Sequence, residues 1–168
     1  MADSNSFDVT TGVDMMEVQN AVDQATKEIT QRYDFKGLKV GIELDMKANT
    51  ITLTAPDDNR MAAVWDVLQS KMVKRKVPLK NLKPGTIESA AGSSARQVVA
   101  IQDGLTSEQA KDVVRHLKDA KMKRVQASIN AETVRISGPD KDDLQAAIAL
   151  LRQHDFGVEL KFGNFRSN

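Results

Sequence analysis

Thr50-Ile51-Thr52-Leu53-Thr54-Ala55-Pro56-Asp57 and Thr133-Val134-Arg135-Ile136-Ser137-Gly138-Pro139-Asp140 align without a gap, at an offset of 83 residues. In both, apolar and polar residues alternate through six positions and then meet Pro-Asp, the pattern of a half-buried strand running into a helix start. The same offset carries Met61 onto Leu144, Trp65 onto Ile148, Leu68 onto Leu151 and Val77 onto Leu160. A match in turn residues and in apolar positions over that span marks a tandem duplication.

Working outward from the repeat, each copy reads βαββαβ. Phe7 to Thr11 alternates as a short strand, and Asp14 caps a helix with Glu17 as its capping-box partner. The apolar stripe of that helix runs Val18, Val22, Ala25, Ile29, Tyr33. Two strands follow, Leu38 to Met46 and Ile51 to Ala55, then a helix with Met61, Val64, Trp65, Leu68 and Met72 on one face, and a last strand over 77–82. The second copy starts with a strand over 96–103. A helix capped by Thr106 and Gln109 comes next, then strands bearing Val125, Ala127, Ile129 and Val134, Ile136. It closes with a helix bearing Leu144, Ile148 and Leu151 and a strand holding Val158, Leu160 and Phe162. These readings set the copies at 1–83 and 96–168, with the small, polar stretch 84–95 as a linker. Strands that alternate apolar with polar need cover on one face only, so the two helices of each copy pack there. The expected fold is α+β, two ferredoxin-like βαββαβ domains in tandem, each with an open sheet face.

Composition excludes several classes. Lys and Arg total 24 against 23 Asp and Glu, so the chain lacks the basic excess of a non-specific nucleic-acid binder. With no cysteine there is no disulfide, no thiolate metal site and no Cys nucleophile. The polar, acidic stretch 1–14 has no signal-peptide pattern and no apolar run is long enough to span a bilayer, so a cytoplasmic protein without membrane partners is expected.

No phosphate loop, dinucleotide fingerprint, nucleophile elbow or zincin motif is present. His116 falls within a helix beside Arg115 and four residues after Asp112, as a surface-pair or polar-face residue, and His154 closes the last helix, where an imidazole suits the negative end of the dipole. Asp57, Asp58, Asp140, Asp142 and Asp143 fall at helix starts, where carboxylates cap free N–H groups. The expectation is a protein with no catalytic residue, no metal and no cofactor. Basic runs at Lys71, Lys74, Arg75, Lys76 and at Lys118, Lys121, Lys123, Arg124 match helix C-termini.

The open faces separate the copies. The first presents Lys39, Gly41, Glu43, Asp45, Thr50, Thr52 and Thr54. The second presents Arg124, Gln126, Ser128, Thr133, Arg135 and Ser137, with Glu159 and Lys161 from the last strand. Guanidinium, ammonium and amide donors on one surface suit phosphate and base-edge contacts, which makes Arg124, Gln126, Arg135 and Lys161 the candidate binding residues. Neither face offers the strand aromatics on which an RNA-recognition sheet stacks bases, so RNA is not the favoured partner.

Ser6-Phe7-Asp8-Val9, Glu17 to Val22, Arg32-Tyr33-Asp34-Phe35-Lys36, Lys118 to Lys123, Asp142-Asp143-Leu144-Gln145 and Phe162-Gly163-Asn164-Phe165-Arg166 stand in an order and spacing that resemble the YajQ family of bacterial nucleotide-binding proteins. The resemblance covers nearly the whole chain. It implies two ferredoxin-like domains that exchange their first strands, 7–11 pairing in the second domain and 96–103 in the first. It also implies a cytosolic nucleotide-binding protein, with cyclic di-GMP as the ligand of some members and a protein partner as the receiver of the signal. The alternative expectation is an RNA-associated or protein-interaction adaptor built on the same fold.

Overall fold

The computed structural model describes residues 5–167. In chain order the elements are β1 (Asn5–Thr11), α1 (Met15–Gln31), β2 (Gly41–Asp45), β3 (Thr50–Ala55), α2 (Asp58–Lys74), β4 (Leu82–Ala90), β5 (Ser94–Ile101), α3 (Ser107–Asp119), β6 (Gln126–Asn130), β7 (Thr133–Gly138), α4 (Lys141–Arg152) and β8 (Leu160–Arg166). Each helix starts where its cap residue says it should. Asp14, Asp57, Thr106 and Asp140 accept hydrogen bonds from first-turn N–H groups, and Thr106 with Gln109 closes a full capping box. Glu17 does not close one: its carboxylate takes Asn20 and Arg75 instead.

The chain forms two compact units, residues 13–102 and residues 1–12 with 103–168. The strand orders are β2-β3-β5-β4 in the first and β6-β7-β1-β8 in the second, with every pair antiparallel. Both are ferredoxin-like sheets in which the slot of the first strand is filled by the other copy's strand. The exchange follows from chain geometry. β4 and β5 are joined by a tight turn at Ala91–Ser93, with Gly92 and Ser93 at positive φ, so β5 folds back on its immediate neighbour. Closing so short a loop costs little entropy. β5 then occupies the slot beside β3, and β1 fills the matching slot between β7 and β8.

β1 fits that slot in register. Phe7 stands opposite Ile136 and Val9 opposite Val134, all fully buried, and Asp8 stands opposite Arg135 on the other face. Burying a side chain of the Phe7 class contributes about 1.5–3 kcal/mol. The core of this unit continues through Val113, Leu117, Leu144, Ile148 and Leu151 from α3 and α4. In unit 13–102 the helix-covered face holds Val18, Val22, Ile29, Ile51, Leu53, Met61, Leu68, Met72 and Val99.

Three sequence expectations change. The stretch 84–95 is not a linker, and the strand expected over 77–82 begins only at Leu82. β4 is an edge strand exposed along nearly its whole length, so it carries no alternation to read. A register shift between Pro84 and Ile87 accommodates the missing proline N–H, as edge strands allow. Tyr33 does not extend the stripe of α1. It lies in a short 3₁₀ turn, 90% exposed, and Phe35 is the buried aromatic there.

Candidate functional site

In the sheet β6-β7-β1-β8, the face away from α3 and α4 is built by the intermediate positions of β1 and β7, namely Ser6, Asp8, Thr10 and Thr133, Arg135, Ser137. Their register brings Gln126 opposite Ser137, Ser128 opposite Arg135, and Lys161 opposite Thr10. Arg135 is the centre. Its Nε–H donates to Asp8 Oδ1 at 3.1 Å, while Asn164 Nδ2 donates to Asp8 Oδ2 at 2.7 Å. Asn164 reaches in from an irregularity in the β1–β8 pairing, where it adopts φ 53°. Asn tolerates that left-handed conformation better than most residues. Beyond the irregularity, Arg166 stands opposite Ser6.

The electrostatics follow from this geometry. The Arg135 guanidinium, above all, holds the Asp8 carboxyl below its ordinary value against the opposing effect of burial, with Asn164 and Arg166 adding to it. Asp8 is therefore ionised at neutral pH and offsets one cation. Arg135, Lys161 and Arg166 on this surface still exceed Asp8 and Glu159, so the face is cationic. Arg135 retains 37% side-chain exposure, which leaves donor N–H groups open to solvent.

Three of the four expected residues, Gln126, Arg135 and Lys161, share this face. Arg124 does not join them. It lies in the turn before β6, and its Nε is 3.7 Å from Asp143 Oδ2 in the first turn of α4. The reason is local: the strand ends where Gly138 lets the Arg124 carbonyl approach, since a Cβ at 138 would sit 2.7 Å from that oxygen. Sequence reasoning missed Asp8, Asn164 and Arg166. Asp8 is 127 positions from Arg135, and only the strand exchange brings it there.

The other open face is different. β3 offers Thr50, Thr52 and Thr54; β2 adds Glu43 and Asp45; β5 adds Arg96, Val98 and Ala100 by register. Arg96 pairs with Glu88 at 3.4 Å, and Lys39 falls outside β2. Elsewhere, the basic run at the C-terminal end of α2 is partly spent on α1, through Lys71–Glu28 at 2.8 Å and Arg75–Glu17 at 3.5 Å. The two histidines stack on each other at 4.5 Å with Phe156 at their edge. Among the described residues, no group of three or more His, Cys, Asp or Glu could hold a metal ion. No described helix is long and apolar enough to cross a membrane.

Fold and face together define a duplicated, strand-exchanged ferredoxin-like protein with one cationic sheet surface. Residues 5–166 match the family described as "Nucleotide-binding protein YajQ-like", and the chain belongs to that family. It is 51% identical over 168 residues to a nucleotide-binding protein of Koribacter versatilis, covering all of both chains. It is 50% identical over 164 residues to one of Solibacter usitatus, covering 98% of each. A third, from Alkaliphilus oremlandii, is 46% identical over 166 residues, covering 99% of this chain and all of the relative.

Proposed function

We propose that this protein binds a nucleotide without consuming it, and that the phosphates contact Arg135, Lys161 and Arg166 on the open face of the β6-β7-β1-β8 sheet. Gln126 is the base-edge or ribose partner at the rim. Cyclic di-GMP, with two phosphates and two bases, is the finer candidate, and a nucleotide-dependent contact with a protein partner is the role that a non-catalytic binder would serve. The observation that carries the reading is the convergence of three cations on one solvent-facing sheet surface in a chain of near-zero net charge. Relatives named as nucleotide-binding proteins over their full length support it. The reading without turnover rests on Asp8, the carboxylate beside Arg135: it is already engaged by Arg135 and Asn164, and its lowered pKa makes it a poor proton acceptor.

Calorimetric titration with GTP, ATP, cyclic di-GMP and a short single-stranded RNA tests this. At least one nucleotide should bind and be recovered intact. Protein-dependent hydrolysis that survives rigorous purification would overturn the non-catalytic reading. RNA bound more tightly than every nucleotide would move the function to an RNA-associated adaptor.

A further inference from the structure

Where β8 runs out past Arg166, a cavity of about 210 Å³ opens between the start of β1, the first two turns of α4 and the end of β8. Its floor is apolar and rigid: Phe7, Leu144 and Ile148 are all buried. Phe165 lines it, a residue 61% exposed to solvent whose ring lies 5.9 Å from the Phe7 ring and is tilted by 33°. Its rim is polar and cationic, with Lys141, Gln145 and Arg166. Neither Lys141 nor Gln145 is tied up in a hydrogen bond or ion pair with another described residue.

We infer that this cavity seats a single purine base, stacked on Phe165, with Gln145 at the base edge and Lys141 and Arg166 toward the phosphate. The inference rests on the nucleotide-binding reading above and deepens it. An exposed aromatic ring beside a buried apolar floor is the wrong chemistry for a solvated surface and the right one for a π-face that needs cover. Gln presents both a donor and an acceptor, as a base edge requires. The volume decides the size of the guest. Whole drug-sized ligands occupy pockets of roughly 300–1,000 Å³, so about 210 Å³ admits one base and leaves sugar and phosphate outside. Arg166 connects the two regions, because it lines the cavity and also stands opposite Ser6, close enough to act on Asp8. A cyclic dinucleotide would thus insert one base and lay its phosphates toward Arg166 and Arg135. The repeat supplies an internal contrast: the positions equivalent to Lys141 and Gln145 are Asp58 and Ala62, so the other copy keeps neither group.

The test is calorimetry on the full chain with GTP, CTP and inorganic pyrophosphate. GTP should bind more tightly than CTP. Phe165→Ala should weaken GTP about tenfold or more, the range expected for loss of one base stack, and leave pyrophosphate unchanged. Phe165→Trp should retain GTP. Because Phe165 is exposed, the alanine variant should fold as the parent does; as a second measurement on the unmodified protein, the methyl signals of Leu144 and Ile148 should shift with GTP and not with pyrophosphate. GTP binding that ignores Phe165→Ala, or leaves those methyls unmoved, overturns the pocket alone. A parent protein that binds neither GTP nor CTP overturns the pocket, and one that also fails to bind ATP and cyclic di-GMP overturns the functional reading with it.

Discussion

Residues 52 and 135 hold the same place in the duplicated hairpin, yet Thr52 faces Val98 and Arg135 faces Asp8. Duplication alone accounts for the shared frame: the same Pro-Asp helix start and an antiparallel hairpin recur in both units, although β2 and β3 close over four residues (46–49) and β6 and β7 over two (131–132). It does not account for the neighbours. Those are delivered by the inserted strand, β5 in one sheet and β1 in the other. The comparison teaches that strand exchange lets two copies of one hairpin acquire different open faces. A threonine surface with an apolar centre forms on one, and a cationic surface around a held carboxylate forms on the other.

The largest expected effect breaks the comparison at its structural root. Phe7→Ala removes a fully buried ring from a borrowed strand, and such a truncation costs about 3–5 kcal/mol. Hydrogen exchange should show protection lost in β7, β8 and α4 while β2, β3 and β5 keep theirs. The reciprocal change, Val99→Ala in β5, should cost roughly 2 kcal/mol and spare β7. Loss confined to 13–102 on changing Phe7 would mean that β1 does not belong where it is seen.

Next comes the difference between the faces. Charge-assisted hydrogen bonds contribute about 1.5–3 kcal/mol, so Arg135→Ala should weaken nucleotide binding about ten- to a hundredfold with little loss of fold stability. Lys39→Ala, in the other unit, should be nearly silent in the same titration. Equal losses from the two would erase the distinction drawn here.

A smaller effect concerns acid stability. Because the folded-state pKa of Asp8 is lowered, mainly by Arg135, its contribution is present above the ordinary carboxylate value and is lost as pH falls through the lowered one. Arg135 is more than a third exposed, so solvent screening limits that contribution to about 1 kcal/mol. Denaturant unfolding at pH 7 and near pH 3 should therefore show a drop that Asp8→Asn partly removes. The same variant should bind pyrophosphate a few-fold more tightly at neutral pH, since a competing carboxylate is gone. The smallest effect on binding is expected at Arg124→Ala, an exposed side chain 3.7 Å from the partly buried Asp143 Oδ2: less than twofold in the same titration.

Much of the frame was legible because it rests on local physics. Alternation at Ile51-Leu53-Ala55 and Val134-Ile136, the Pro-Asp helix starts and the Thr106–Gln109 box each read correctly from a few adjacent residues. β4 did not, because a strand with both faces in water has no apolar period, and its Pro-Gly looked like a break. Alternation also says which face a residue takes without saying which strand lies beside it. Hence alternation places Arg135 and Lys161 on the open face, while the nearness of Asp8 and Arg166 to them is not legible in it. Arg124 misled for a related reason: its parity matched the open face, but the strand had not yet begun, and Asp143 was the nearer partner.

The central claim is that the borrowed strand β1 and its neighbours, rather than the equivalent surface of the other copy, make the binding face. Amide chemical-shift mapping of the full chain during a GTP titration tests it most directly. Saturable shifts should cluster in β1, β7 and β8, at Asp8, Arg135, Lys161 and Arg166, with Thr50, Thr52, Thr54 and Val98 unmoved. Shifts centred on β3 and β5, or saturable binding that leaves Asp8 and Arg135 in place, would contradict the account.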